Sequence, residues 1–244
     1  MAILVTRPLP DGEATAALLR ARGFEVLLAP MLRFEPVAFH DDREAHYGGV
    51  IITSTNALRA IESRLEGSRL LALPLFAVGA HTADAARAAG FTKVISANGD
   101  AAGLRDCILA SVKAKALKKT SPLLYLAGAD LARDLAGELG ERGLTVVTQT
   151  TYRMVPLSSL PDQARDAFAA DGIEAVLHYS RRSARAFIEA VRGAGVEISA
   201  LSLPQCCLSA GIATVVRDAG ASQVTVASSP DEDALFVALE SATC

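Results

Sequence analysis

The chain has 244 residues, enough for one large domain or two small ones, and 51% of them are apolar, ample material for packed cores. Aromatic residues make up only 5% and tryptophan is absent, which excludes the exposed stacking surface of a single-strand nucleic-acid binder. A formal charge of −3 argues against non-specific DNA binding and leaves room for a local basic cleft.

The opening MAILVTRPLP lacks the charged, apolar and cleavage regions of a secretory signal, and no apolar run nears the ~18 residues of a membrane helix. A cytoplasmic location is therefore expected. AILVT (2–6) reads as a strand leading into a helix that begins near Asp11, its expected N-cap, and stops at Gly23. FEVLLAP is the next strand. GVIIT (49–53) leads to a helix carrying Leu58, Ile61 and Leu65 on one face. LFAV (75–78), a helix over 81–89 closed by Gly90, and KVIS (93–96) form a further β-α-β unit. LLYLA, TVVTQT, AVLHY, QCCL and QVTVA come next as strands of the same kind. Continuous apolar strands separated by helices indicate parallel sheets covered on both faces.

Self-comparison shows a duplication. RGFEVLLAPMLRFEP (22–36) aligns without a gap with RGLTVVTQTTYRMVP (142–156). VIITSTNA (50–57) corresponds to VLHYSRRS (176–183), and AVGAHTADAARAAGFTKVISA (77–97) to CLSAGIATVVRDAGASQVTVA (207–227). A period of 120 to 130 residues means a repeated domain-sized unit rather than a solenoid. KAKALKKTSP (113–122), between the copies, reads as a solvated helix end.

Cys107, Cys206, Cys207 and Cys244 contain no CxxC pair, and His40, His46, His81 and His178 make no HxxxH or HExxH set, so no metal site is expected. The thiols read as core or surface groups, and the adjacent Cys206 and Cys207, on a strand, point to opposite faces. GxGxxG, GxxxxGK[ST] and GxSxG are all missing, which disfavours dinucleotide binding, Walker-type phosphate binding and a serine-hydrolase elbow.

There remain strand-to-helix turns of small and hydroxyl residues. In the first copy they hold Thr53, Ser54, Thr55 and Asn56, then Gly79, Ala80 and Thr82. In the second they hold Ser180, Arg181 and Arg182, then Ser209, Ala210 and Gly211. Each could be an ordinary N-cap. Four of them at the carboxyl ends of parallel strands, with Arg7 after the first strand, point to an anion site. Tyr152, among polar residues of TQTTYRM, is either a half-buried strand tyrosine or a phenol able to donate a proton.

VTRP, the RGFEVLLAPMLRFEP run, ITSTNAL, AVGAHTADAARAAGF, GLTVVTQTTYR and VASSPDEDAL, in that order along essentially the whole chain, resemble uroporphyrinogen-III synthase. The resemblance implies a dehydrating carbon–oxygen lyase of tetrapyrrole synthesis (haem, chlorophyll, cobalamin). Its substrate is hydroxymethylbilane, a linear tetrapyrrole with eight carboxylates, closed with inversion of ring D and needing no metal or organic cofactor. The implied fold is α/β: two lobes, each a parallel sheet flanked by helices, joined by a two-stranded connector, with substrate in a cleft between them. Carried onto this chain, the connectors are 31–37 and 151–157; one lobe is 38–150, the other combines 1–34 with 158–244. The duplication alone suggests one copy per lobe. With the resemblance it becomes a crossover, in which each lobe draws on part of a copy and the aligned 22–36 and 142–156 segments contain the paired connectors.

The family's connector tyrosine falls on Tyr152, whose implied role is to protonate the departing hydroxyl or to position a water that does so. Its I-G-x-T-T-A turn reads Leu208–Ser209–Ala210–Gly211–Ile212–Ala213 here, without the hydroxyl, though Thr214 comes next; its F-[TS]-S-x-S turn reads Tyr179–Ser180–Arg181–Arg182–Ser183. The implied partners are the small-molecule substrate and, transiently, neighbouring pathway enzymes, with neither nucleic acid nor membrane, and a monomer is the simplest expectation. A non-catalytic two-lobed binder of an acidic small molecule, a regulatory relative, and a flavodoxin- or receiver-like domain pair are the alternatives, the last against the missing acidic cluster and phospho-acceptor aspartate of receivers at the first strand ends. The first is commonly secreted, against the missing signal; the second carries an added DNA-binding segment, for which the ending VALESATC leaves no room.

Overall fold

The computed structural model describes residues 1–40, 45–97 and 99–243; Cys244, one of the four cysteines, lies outside them. It divides into two compact units. One joins Met1–Phe34 to Val155–Cys244, and the other is Glu35–Met154. They are called unit 1 and unit 2 below.

In chain order, unit 1 begins with β1 (Ala2–Val5), α1 (Asp11–Ala21) and β2 (Glu25–Leu28). The helix α1 differs from expectation at its start. Asp11 is its first residue and not its cap; Pro10 is the N-cap and no side chain caps the turn. The placement suits both residues, because an acidic group in the first turn faces the positive end of the helix dipole. Gly23, at φ +89°, ends the helix in the left-handed conformation that glycine adopts without strain.

β3 (Leu32–Pro36) runs out of unit 1. Unit 2 continues with β4 (Gly49–Ile52), α2 (Thr55–Ile61), β5 (Pro74–Ala77), α3 (Ala80–Ala88), β6 (Lys93–Ser96), α4 (Ala101–Lys113), β7 (Leu123–Gly128), α5 (Leu135–Gly140) and β8 (Val146–Pro156). Unit 1 resumes with α6 (Asp162–Ala169), β9 (Ile173–His178), α7 (Arg181–Gly193), α8 (Glu197–Ser202), β10 (Gln205–Cys207), α9 (Ala210–Asp218), β11 (Val224–Val226) and α10 (Glu232–Thr243). The TVVTQT strand does not stop at Thr150 but runs on through TYRMVP, giving the eleven-residue β8. Lys113, Lys115, Lys118 and Lys119 are all exposed at and beyond the end of α4.

The sheet orders are β11-β10-β9-β1-β2 in unit 1 and β3-β8-β7-β4-β5-β6 in unit 2. Pairing is parallel from β11 to β2 and from β8 to β6. Each sheet is sandwiched between helices. In unit 2, Val50, Ile52, Leu124 and Leu126 meet α2 and α3 on one face. Ile51, Phe76, Leu123 and Tyr125 meet α4 and α5 on the other. In unit 1, Ile3, Val5 and Leu177 face α1 and α10, and the opposite layer packs α7 and α9 around Cys207, Ile212 and Val216. Cys206 and Cys207 fall in these two opposite layers, both fully buried, and burial pushes each thiol up to about 12.

The two units are the same fold entered at different points. Strands β4 to β8 of unit 2 correspond, in spatial order, to β9, β10, β11, β1 and β2 of unit 1. Register supports this: Leu123 pairs with Gly49 as Ile3 pairs with Ala175, and with Val146 as Ile3 pairs with Val26. The crossover therefore arises because unit 1 is a circular permutant of unit 2, with its last two strands supplied first.

Candidate functional site

In open α/β sheets ligands bind outside the carboxyl ends of the strands, where neighbouring strands send their helices to opposite faces. In unit 2 that point lies between β4 and β7, which lead to α2 and α5 on opposite faces. Most of the sequence-derived residues of unit 2 sit along this edge.

Thr53 follows β4. Ser54 is the N-cap of α2 in extended conformation, its hydroxyl accepting from Asn56 N at 3.2 Å; Thr55 begins the helix. Gly79 is the N-cap of α3, extended at φ −152°, with no side-chain cap; Ala80 begins the helix and Thr82 is buried in its first turn. The leading N–H groups of α3 have no acceptor within the helix, so they form a donor set at the positive end of its dipole.

Tyr152 reaches the same edge through a fault in strand pairing. β8 tracks β7 residue for residue up to Ala127–Thr150, then Gly128 pairs with Tyr152, and Thr151 is the extra residue. Its buried hydroxyl donates to Ala127 O at 3.3 Å. Side chains alternate along a strand, so one extra residue turns those after it to the other face. Val146 faces α4 and α5, and unbroken alternation would put Tyr152 there too; beyond the bulge it packs with the α2–α3 layer. The ring lies over Gly128: a Cβ on that glycine would come within 2.7 Å of Tyr152 Cζ and 2.9 Å of its oxygen. Sequence reasoning missed this glycine and missed Tyr125. The Tyr125 hydroxyl bonds to Thr53 Oγ1 at 3.1 Å. Burial pushes the Tyr125 phenol up, opposed by the Thr53 bond and assisted by Tyr152. The strand LLYLA carried no sign of this beyond a polar atom in an otherwise apolar run.

Unit 1 repeats the arrangement. Ser180 is the extended N-cap of α7, its hydroxyl accepting from Ser183 N at 3.0 Å. Arg181 and Arg182 open that helix, the first exposed and the second partly buried. Ser209 is the N-cap of α9 without a side-chain cap, matching Gly79 in φ to within 2°. Ala210 and Gly211 are exposed, and the Arg181 chain passes 3.8 Å from the position of a Cβ on Gly211, so the two turns adjoin. Thr214 does not restore a hydroxyl to that turn, since it donates back to Ala210 O at 3.1 Å within the helix. Arg7 stands at the β1 end and is engaged by Glu232 at 3.2 Å and by Asp11 at 3.4 Å. Burial, reinforced by Glu232, pushes the neighbouring Tyr179 phenol up.

One buried group lies just behind this edge. His178 ends β9 fully buried, and its Nε2 meets Gln205 Oε1 at 2.8 Å. Gln205 donates its amide hydrogens to Ala200 O and Leu203 O, which leaves its oxygen as acceptor and assigns the imidazole proton to Nε2. Nδ1 has no partner, and burial pushes the imidazole down to about 4. Among the described residues no group of three or more histidine, cysteine or acidic side chains could hold a metal ion, and no helix is long and apolar enough to cross a membrane.

Comparison with known proteins accords with this arrangement. No curated protein matches the sequence. Among solved structures, uroporphyrinogen-III synthetase from Helicobacter pylori 26695 aligns over 98% of both chains with 17% identity and a TM-score of 0.66. A mutant uroporphyrinogen III synthase from the extremely thermophilic bacterium Thermus thermophilus aligns over 99% of this chain and 98% of its own, with 18% identity and a TM-score of 0.59. At such identities the likeness is one of fold. The family model described as uroporphyrinogen-III synthase HemD matches residues 13–237, nearly the full length, and the chain belongs to the uroporphyrinogen-III synthase family.

Proposed function

We infer that this chain closes hydroxymethylbilane to uroporphyrinogen III with inversion of ring D and loss of water, in tetrapyrrole biosynthesis. The observation that carries this reading is the family match across residues 13–237. Loss of the terminal hydroxide leaves a cation that the pyrrole nitrogen stabilises, so the demanding part is geometric: ring D must present its substituted carbon. Holding the other rings by their carboxylates is catalysis by positioning. The turns at Ser54–Asn56, Gly79–Thr82, Ser180–Arg182 and Ser209–Gly211 suit that task. The backbone N–H groups that no cap takes up, those opening α3 and α9 above all, are rigid donors that need no side-chain ordering.

Tyr152 protonates the departing hydroxyl in this reading, directly or through a water. Support comes from its seat at the carboxyl edge, over Gly128 and close to the Thr53–Tyr125 pair. The test is the ratio of type III to type I uroporphyrinogen formed from hydroxymethylbilane. Type III should dominate; a product no different from spontaneous type I closure would sink the assignment. Tyr152→Phe should slow the reaction and leave measurable type III product, because positioning is shared among several turns. Complete loss in a folded Tyr152→Phe variant would overturn that distribution of roles.

A further inference from the structure

The carboxyl edge of the unit 1 sheet holds a side-chain arrangement that unit 2 lacks. Glu232, the first residue of α10, places one oxygen, Oε1, among three donors: Arg7 Nη1 at 3.2 Å, the Thr15 hydroxyl at 2.5 Å and the Tyr179 hydroxyl at 2.9 Å. The Arg7 guanidinium stacks 4.7 Å above the centre of the Tyr179 ring, and its other nitrogen reaches the half-exposed Asp11. Arg7 follows β1 and Tyr179 follows β9, the two strands flanking the point where helices leave for opposite faces. The Glu232 side chain keeps 29% of its exposure, so solvent reaches the cluster.

Unit 2 is an internal control. By strand register Arg7 corresponds to Ala127 and Tyr179 to Thr53. Asp231 and Asp100 cap equivalent helices, each bonded to the N–H three residues on, so Glu232 corresponds to Ala101. Cation, phenol and carboxylate are thus missing from the corresponding positions of a unit that folds the same way. The set is not a requirement of the fold, and its donors, a guanidinium and two hydroxyls converging on one oxygen, are those that recognise a carboxylate.

We propose that Arg7, Thr15 and Tyr179 form a carboxylate subsite occupied by the chain's own Glu232, and that a carboxylate of the substrate enters by taking the place of Glu232. The proposal rests on the functional reading above and sharpens its specificity. Exchanging one carboxylate for another keeps every donor satisfied, so the step costs little desolvation. A lone carboxylate gains little by it, whereas a ligand anchored elsewhere by several carboxylates competes at high effective concentration. The subsite therefore selects for polycarboxylates.

Two measurements test it. Neutralising the internal competitor with Glu232→Gln should lower KM for hydroxymethylbilane about fivefold, since charge-assisted bonds are about twice as strong as neutral ones. Adding Arg7→Gln to that variant should raise KM again, above the wild-type value. An unchanged or higher KM in folded Glu232→Gln overturns the proposal. The second measurement needs no variant at position 232. The chain has 4 tyrosines, so the wild type labelled with 3-fluorotyrosine gives a tractable fluorine NMR spectrum, with the Tyr179 signal assigned through Tyr179→Phe. Uroporphyrin, an octacarboxylate, should shift that signal as Glu232 leaves; no shift at millimolar uroporphyrin overturns the proposal. Absence of type III product with a shifting Tyr179 signal would instead fault the catalytic reading alone.

Discussion

Two single residues carry consequences that can be measured directly. His178 is buried, neutral and held down to about 4, whereas in the unfolded chain it takes its proton near the ordinary 6.5. Above pH 6.5 neither form is charged and the fold keeps its full stability. As the pH falls from 6.5 toward 4 the unfolded chain binds the proton first, and up to about 3 kcal/mol is lost. Urea midpoints at pH 7.5 and 4.5 should show this fall, and His178→Gln should flatten that part of the profile; equal slopes in both proteins would refute the assignment. Gly128 makes a different case. Gly128→Ala would drive a methyl into the Tyr152 ring, which can swing away, so the fold should survive while the phenol moves. Displacement of a reacting group by about 1 Å costs up to roughly a hundredfold in rate, so kcat should fall at least tenfold with an unchanged melting temperature. Full activity would show that the seat of Tyr152 over Gly128 does not matter to turnover.

At the scale of elements, α3 and α9 begin without side-chain caps, whereas α2 and α7 use a serine hydroxyl on their own first turns. An uncapped start is a small sacrifice of stability that leaves donors available. Gly79 has extended backbone and nothing within 4 Å of a Cβ, so Gly79→Asp fits without strain. It should stabilise the helix by about 0.5 kcal/mol through capping and the dipole. It should also lower kcat/KM about tenfold, because its carboxylate repels those of the substrate and takes their donors. A stabilised variant of full activity would remove this turn from the binding surface. Much at this scale was legible beforehand. Alternating apolar strands and helices and the opposed Cys206 and Cys207 follow from local periodicity, and the duplication from self-comparison of the sequence. The bulge at Thr151 did not, because nothing in TQTTYRM marks which residue drops out of register; the choice is made by pairing with β7. The Asp11 cap and the engagement of Arg7 were misjudged or missed for a related reason. Pro10 decides where α1 starts, and the partner of Arg7 lies 225 positions away in sequence.

For the whole molecule, the unequal continuity of the two units is the dominant fact. Unit 2 is one unbroken segment, Glu35–Met154, with a five-stranded parallel sheet and a helix layer on each face. A segment with its own complete core should fold alone. Residues 35–154 expressed separately should give a cooperative thermal transition by circular dichroism; a broad melt with dye-binding apolar surface would show that the unit depends on the rest of the chain.

Unit 1 has no such independence during synthesis. β1 lies in the middle of its sheet, with Ile3, Leu4 and Val5 wholly buried, yet its neighbour β9 comes some 170 residues later. At about 5 to 20 residues per second the ribosome needs on the order of ten seconds or more to deliver that partner. Throughout that interval an apolar strand with an unpaired edge waits, although unit 2 can already close. The permuted order of strands thus has a cost in the cell that the finished fold conceals: the nascent chain needs shielding at its first strand, and replacements there should reduce soluble yield more than equivalent ones in β4.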